Sequence, residues 1–284
     1  MRRALLLSRR PNPRAALDLL HDHDEVVVGM LTGGQDLHFP AHLLGVQQAL
    51  PPGAWATPVL TARWGQPPLG PDALARLLPS RLPEAQTWVT DDTALQAAIQ
   101  HTGRRCDAAE PGPDLRAPDT LRRLLLVARA QPWHNGHQAL AALALAEVDE
   151  LVVVVACAER SHRAQDPYTA GERLGLIRAA LPERALLVAV PHPDEDAVGL
   201  TWLQLLGPRV EGVVGHNPAL RALAESADLP VYGLPNPPPV SGQRVRARLA
   251  AGHPIADLVP EAVDRALREP LRARVALLHA PEPR

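Results

Sequence analysis

Leu124–His137 reads LLLVARAQPWHNGH, an apolar run that gives way to a short loop and then to a helix opened by His134-Asn135-Gly136-His137. A strand, a tight loop and a new helix are what a nucleotide-binding edge requires. The unpaired N–H groups of the first helical turn and its positive dipole end both face an anion. Gly136 lets a ligand approach the backbone. His134 and His137, three apart, share one face of the first turn. Two imidazoles and a helix N-terminus aimed at one spot suit a group whose negative charge grows during reaction.

Outward from this stretch, apolar runs alternate with helical segments. Residues 4–8, 25–31 (EVVVGML), 54–60 and 87–89 read as strands, and 13–20, 41–50, 72–78 and 93–100 as helices. Further on, 151–157 (LVVVVAC), 185–190, 212–214 and 231–233 read as strands. Segments 136–147, 169–181, 200–206 and 218–226 read as helices, with more helix beyond Ser241. Such alternation means parallel sheets with right-handed crossovers, a Rossmann-like α/β architecture with helices on both faces. EPGPDLRAPD (Glu110–Asp119) has no periodicity. It reads as part of a 110–120 linker between an α/β domain at 1–109 and a second at 121–284.

The two halves echo each other. MRRALLLSRRPNP at the start resembles LRRLLLVARAQP from Leu121, and DEVVVGML resembles DELVVVVA from Asp149. FPAHLLGVQQALP from Phe39 resembles YTAGERLGLIRAALP from Tyr168, and WVTDDTALQAAI from Trp88 resembles VVGHNPALRALA from Val213. The first half therefore reads as a degenerate second copy of the fold, since its first loop, SRRPNPRAAL, lacks the two histidines.

Composition narrows the function. The net charge is −2, which offers no electrostatic footprint for nucleic acid. The chain has no Lys, so Arg and His are its side-chain cations and no lysine Schiff base can form. Two cysteines, Cys106 and Cys157, fit a reducing cytoplasm better than a disulfide framework. The apolar run in MRRALLLSRRP is too short for a signal peptide, and no stretch has the length of a membrane span. A cytoplasmic location is expected.

Three blocks resemble the archaeal-type nicotinamide-nucleotide adenylyltransferases of the H-x-G-H nucleotidyltransferase superfamily, over about residues 124–264. Ala128-Arg129-Ala130-Gln131-Pro132-Trp133-His134-Asn135-Gly136-His137 is similar to the opening motif G-R-F-Q-P-x-H-x-G-H. DPYTAGERLGLIRAAL (Asp166–Leu181) resembles the P-[FY]-T-A-G-E-R segment, and Val240-Ser241-Gly242-Gln243-Arg244-Val245-Arg246 resembles S-G-T-x-[IV]-R. The resemblance implies adenylyl transfer from ATP to nicotinamide mononucleotide (NMN), giving NAD and pyrophosphate. Mg²⁺ would ride on the triphosphate, with no metal held by protein side chains, and the chain would self-associate as a homo-oligomer.

It also implies a distribution of roles. His134, His137, Arg129 and Arg246 would be catalytic. Ala128, Ala130, Gln131, Gly136, Asn217, Ser241, Gly242 and Gln243 would line the ATP site, and Trp202, Asp194 and Gly199 the NMN site. Glu172 and Arg173 would support the site as an internal ion pair. Departures are Ala128 for Gly, Ala130 for Phe, Gln243 for Thr, and Gly199 where the family has an Asn that recognises the base. They leave room for another phosphate acceptor (phosphopantetheine, FMN or nicotinic acid mononucleotide) or for a nucleotide-binding regulator without turnover. His38, His42 and Asp36 read as exposed loop and helix-start residues rather than a metal site, and Asp91-Asp92 as a helix cap.

Overall fold

Leu and Val runs without polar alternation belong in strands covered on both faces. In the computed structural model, which describes residues 2–32, 39–60, 69–82, 84–113, 121–190 and 210–279, they occupy two parallel sheets. By compactness one unit is Met1–Thr120 with Val188–Pro208, and the other is Leu121–Leu187 with Arg209–Arg284.

The first sheet contains β1 (Arg3–Ser8), β2 (Glu25–Thr32), β3 (Ala54–Leu60), β4 (Thr87–Thr90) and β5 (Cys106–Ala108), in the order β3-β2-β1-β4-β5. Every residue of β1 and β2 is buried. Its helices are α1 (Pro13–Leu20), α2 (Phe39–Ala49), α3 (Pro71–Arg81) and α4 (Thr93–His101). Their starts are chemically marked. Asn12 caps α1 by accepting from the Arg14 amide, with Pro13 in the first turn, and Asp92 caps α4 by accepting from Leu95 N at 2.9 Å.

The second sheet contains β6 (Arg123–Ala128), β7 (Glu150–Val155), β8 (Ala185–Ala189), β9 (Gly212–Val214) and β10 (Val231–Tyr232), in the order β10-β9-β6-β7-β8. Helices α5 (Asn135–Glu147), α6 (Ala170–Ala180), α7 (Pro218–Ser226), α8 (Gly242–Ala250), α9 (Glu261–Ala266) and α10 (Leu271–His279) accompany it. Read from β8, this is the strand order of the first unit.

The likeness of the halves extends to side chains. Arg3 pairs in register with Glu25, and Arg123 with Glu150. Each arginine donates from Nε to the facing glutamate, at 2.5 Å and 2.8 Å respectively. One residue earlier, Arg2 N donates to Asp24 Oδ2 and Arg122 N to Asp149 Oδ2. A buried guanidinium is costly unless a carboxylate and further hydrogen bonds compensate it, so the same solution at the same register marks two versions of one fold.

Sequence and structure differ mainly in short elements. β5 escapes the sequence reading because Cys-Asp-Ala carries no apolar run; its placement comes from pairing with β4 at Trp88↔Cys106. The helix at 136–147 starts one residue earlier, at Asn135. The helix expected at 200–206 lies outside the described residues.

From β6 the chain crosses to β7 on one side, and a later crossover returns it to β9 on the other. The carboxyl ends of β6 and β9 therefore flank a topological switch point, where open parallel sheets form a ligand crevice.

Candidate active site

The loop after β6 carries the chemistry to that crevice. His134 opens α5 in extended conformation, and its backbone N–H donates to Nδ1 of His137 at 3.3 Å. Accepting there places the His137 proton on Nε2, leaving a donor on the far side of the ring. The two imidazoles stack with centroids 3.7 Å apart and planes 18° from parallel. Fully buried Trp133 stacks on His137 at 4.9 Å and donates its indole N–H to Gln138. Burial lowers the His134 pKa to about 4. Burial, then the charge of its neighbour, holds His137 well below the usual imidazole range. Both rings are neutral hydrogen-bond donors at physiological pH.

The DPYT block closes one side. The Gln131 side-chain amide donates to Tyr168 O at 3.0 Å and accepts from Tyr168 N at 3.1 Å, so it pairs with a backbone as a strand would. Arg129 Nη2 meets Asp166 Oδ1 at 2.6 Å, with the arginine half-exposed and the aspartate buried. Thr169 caps α6 by accepting from the Glu172 amide, and Glu172 accepts from the Thr169 amide in return.

The third block closes another side. Ser241 caps α8 by accepting from the Arg244 amide at 3.2 Å. Arg246, one turn on, donates from Nη1 to Gln131 O at 2.7 Å, and burial lowers its pKa. Gly242 is required by contact: a Cβ there would lie 2.9 Å from Gln131 O and 3.1 Å from Arg246 Nη1. Gly136 has a similar role, since its Cβ would meet the His134 ring at 3.1 Å and Val240 at 3.4 Å. The N-termini of α5 and α8 therefore approach one loop.

Three buried polar atoms in this cluster lack a hydrogen-bond partner among the described residues: His134 Nδ1, Tyr168 Oη and Arg246 Nε. Native interiors rarely tolerate such orphans, so a cluster of them is a candidate place for a polar ligand.

The structure brings together His134, His137, Arg129, Gln131, Gly136, Ser241, Gly242 and Arg246. Ala128 is the buried last residue of β6 and takes an ordinary strand conformation, so replacing Gly there introduces no strain. Ala130 is the strained position, with φ 49°. Asn217 follows β9 on the same sheet edge, where its side chain caps α7 by accepting from Ala219 N at 2.9 Å. Gln243 is exposed on α8. Trp202, Asp194 and Gly199 lie outside the described residues, as do His38 and Asp36. His42 is buried on α2, not exposed, because the helix turns it inward.

The expected Glu172–Arg173 ion pair does not form. Adjacent helical residues point to different faces. Glu172 instead receives a two-pronged bond from Arg274 of α10, at 2.6 Å and 2.8 Å, and Arg173 binds backbone carbonyls. Sequence reading missed Arg274, because LRARVALLH gives no sign of which arginine turns inward. It also missed Leu258, whose carbonyl takes the Asn135 amide at 2.9 Å. Among the described residues, no three His, Cys, Asp or Glu side chains gather as a metal cage. No helix among them is long and apolar enough to cross a membrane.

A parallel sheet with paired helix N-termini and an H-x-G-H turn at its switch point defines a nucleotidyltransferase-type α/β fold. Residues 125–207 match the cytidylyltransferase-like family model. Nicotinamide-nucleotide adenylyltransferase of Ignicoccus hospitalis is 36% identical over 159 residues, which cover 52% of this chain and 91% of that protein. The enzyme of the same name from Halobacterium salinarum is 36% identical over 148 residues, 50% of this chain and 84% of its own. The chain belongs to the nicotinamide-nucleotide adenylyltransferase family. Among solved structures, a bifunctional NMN adenylyltransferase/ADP ribose pyrophosphatase from Francisella tularensis superposes with a TM-score of 0.43 at 13% identity, over 56% of this chain and 52% of its own.

Proposed function

We propose that the second unit transfers the adenylyl group of ATP to NMN, forming NAD and releasing pyrophosphate. The observation that carries this reading is the set of unpartnered buried polar atoms, His134 Nδ1, Tyr168 Oη and Arg246 Nε, beside the starts of α5 and α8. Family membership supports it, since the relatives bear that activity in their names.

In the reaction, an NMN phosphate oxygen attacks the α-phosphorus of ATP. A new P–O bond forms, the bond to the α–β bridging oxygen breaks, and the electron pair leaves with pyrophosphate. The nucleophile is already anionic, so the site needs no general base. It must hold the two phosphates in line and receive the charge that moves onto the leaving oxygens. Neutral His134 and His137 donate hydrogen bonds to those oxygens without the desolvation cost of a buried cation. Arg129, held at its tip by Asp166, and Arg246, held by Gln131 O, supply positive charge. The Ser241-Gly242 turn offers backbone N–H groups to the triphosphate. Mg²⁺ would enter with ATP, riding on the triphosphate as part of the substrate. The acceptor base would be read by Trp202, Asp194 and Gly199. The protein would work in the cytoplasm as a homo-oligomer, its first unit without catalytic function.

The test is incubation with MgATP and either NMN or nicotinic acid mononucleotide, with quantification of the dinucleotide. Product is expected from NMN, with a loss of about 10²–10³-fold in His134→Ala, the magnitude of removing one transition-state donor. Product from neither acceptor would overturn the reading. The departure at Gly199 would then favour another phosphate acceptor.

A further inference from the structure

Arg173 is fully buried, and among the described residues no carboxylate pairs with it. Its guanidinium is spent on four backbone carbonyls. Nε donates to Thr169 O at 3.2 Å, Nη1 to Arg129 O at 2.9 Å and to Ala156 O at 2.8 Å, and Nη2 to Cys157 O at 3.0 Å. These carbonyls belong to three segments: the loop after β6, the loop after β7 and the N-cap of α6.

The location of those carbonyls gives the arrangement its meaning. Arg129 O belongs to the peptide that leads into Ala130, and Cys157 O to a residue whose own φ is 55°. Ala130 and Cys157 both sit in the left-handed region, which costs a residue with a side chain on the order of 1 kcal/mol or more. Such conformations persist only where the surroundings over-determine them. A planar, five-donor fork can bridge both strained turns at once, whereas an ammonium is a point donor on a flexible stem.

We propose that Arg173 is a positioning residue for transfer: it locks the strained loop that carries Arg129 and the histidines against the loop after β7, and so fixes where Arg129 meets the phosphates. The proposal rests on the adenylyl-transfer reading for its kinetic consequence and on geometry alone for its structural one.

Two measurements need no substrate. In the wild-type protein labelled with ¹⁵N-arginine, the guanidinium protons of Arg173 should exchange with water far more slowly than those of exposed Arg105. Exchange at the same rate would overturn the proposal. In Arg173→Lys, amide hydrogen exchange should rise by about tenfold or more in 129–134 and 156–160 while β6 and β7 keep their protection. Unchanged loops would overturn it too.

A double-mutant cycle supplies the catalytic readout. Arg173→Lys should lower kcat by about 10–100-fold with KM for NMN nearly unchanged, but by less than about 3-fold in an Arg129→Ala background. Equal losses in both backgrounds would mean that Arg173 does not act through Arg129. A wild-type protein inactive with either acceptor would defeat the functional reading instead, leaving the exchange measurements to decide the role of Arg173.

Discussion

The imidazole of His134 lies face to face with that of His137, 3.7 Å between centroids, at the first turn of α5. Two imidazolium rings could not hold that arrangement in a buried site, so the stack depends on neutrality. Burial takes the His134 pKa from 6.5 to about 4, and His137 is depressed as well. As pH falls below about 6.5, the unfolded chain gains protons that the folded protein refuses. Stability contributed by the pair is therefore complete above that pH and drains away towards pH 4. For His134 alone the loss is about 3 kcal/mol. Urea unfolding midpoints at steps from pH 7.5 to 4.5 should fall steeply, and His134→Asn should flatten the slope. A wild-type midpoint constant from pH 6.5 to 5 would contradict the neutral stack.

Arg274 reaches from α10 to Glu172 and also donates to Pro167 O at 3.1 Å. It thereby anchors the turn that presents Asp166 and Tyr168. Both side chains are largely buried, 19% and 18% exposed, so the pair is not screened away like a surface bridge. Arg274→Ala leaves a carboxylate with one lost partner and should destabilise the protein by about 2–3 kcal/mol in urea titration. Glu172→Gln keeps one acceptor and should cost less. Equal small losses in both variants would mean that α10 does not anchor this turn.

Much of this was legible in the sequence, for identifiable reasons. Fully buried parallel strands declare themselves as unbroken Leu and Val runs, and Asn12, Asp92, Asn217 and Ser241 announce helix starts because their side chains do the capping. The repeat of the two halves survives in residues that cannot change cheaply, such as Arg3 with Glu25 and Arg123 with Glu150. Partner choice was not legible. Glu172 and Arg173 are adjacent in sequence and diverge in space because helical neighbours lie about 100° apart. The left-handed turns at Ala130 and Cys157 carry no glycine to flag them, since the fold around Arg173 enforces them.

Gly242 packs against the Gln131 carbonyl that Arg246 also uses. A methyl group at 2.9 Å from that oxygen has no flexible neighbour to push aside, because the obstruction is backbone. Gly242→Ala should therefore shift the start of α8 and misplace Arg246, raising KM for ATP by about tenfold or more while the unfolding midpoint moves little. Gly175, whose Cβ would meet nothing within 4 Å, is the matched control, and Gly175→Ala should leave ATP binding unchanged. Equal behaviour of the two variants would show that the contact between α8 and the Gln131 loop does not shape the site.

The first unit has the same strand order, yet its corresponding edge is closed by its own chain. After β5 the backbone turns back, Ala109 N donating to Thr90 O at 2.9 Å and Gly112 N to Arg10 O at 2.6 Å. Gly112 lies so close to the β1 loop that a Cβ would fall 2.3 Å from Pro11 O and 2.7 Å from Asn12 Cα. The histidines are missing from that loop as well, so among the described residues this edge offers neither their donors nor an open approach to the β1 loop. Calorimetric titration with MgATP should give one site per chain, and His137→Ala should weaken that single site. Two equivalent sites would mean that 109–113 moves aside to admit a nucleotide. Gly112→Ala should separately cost about 1–3 kcal/mol in urea unfolding, the usual range for overpacking a tight contact. A neutral Gly112→Ala would show that the closure is loose enough to open.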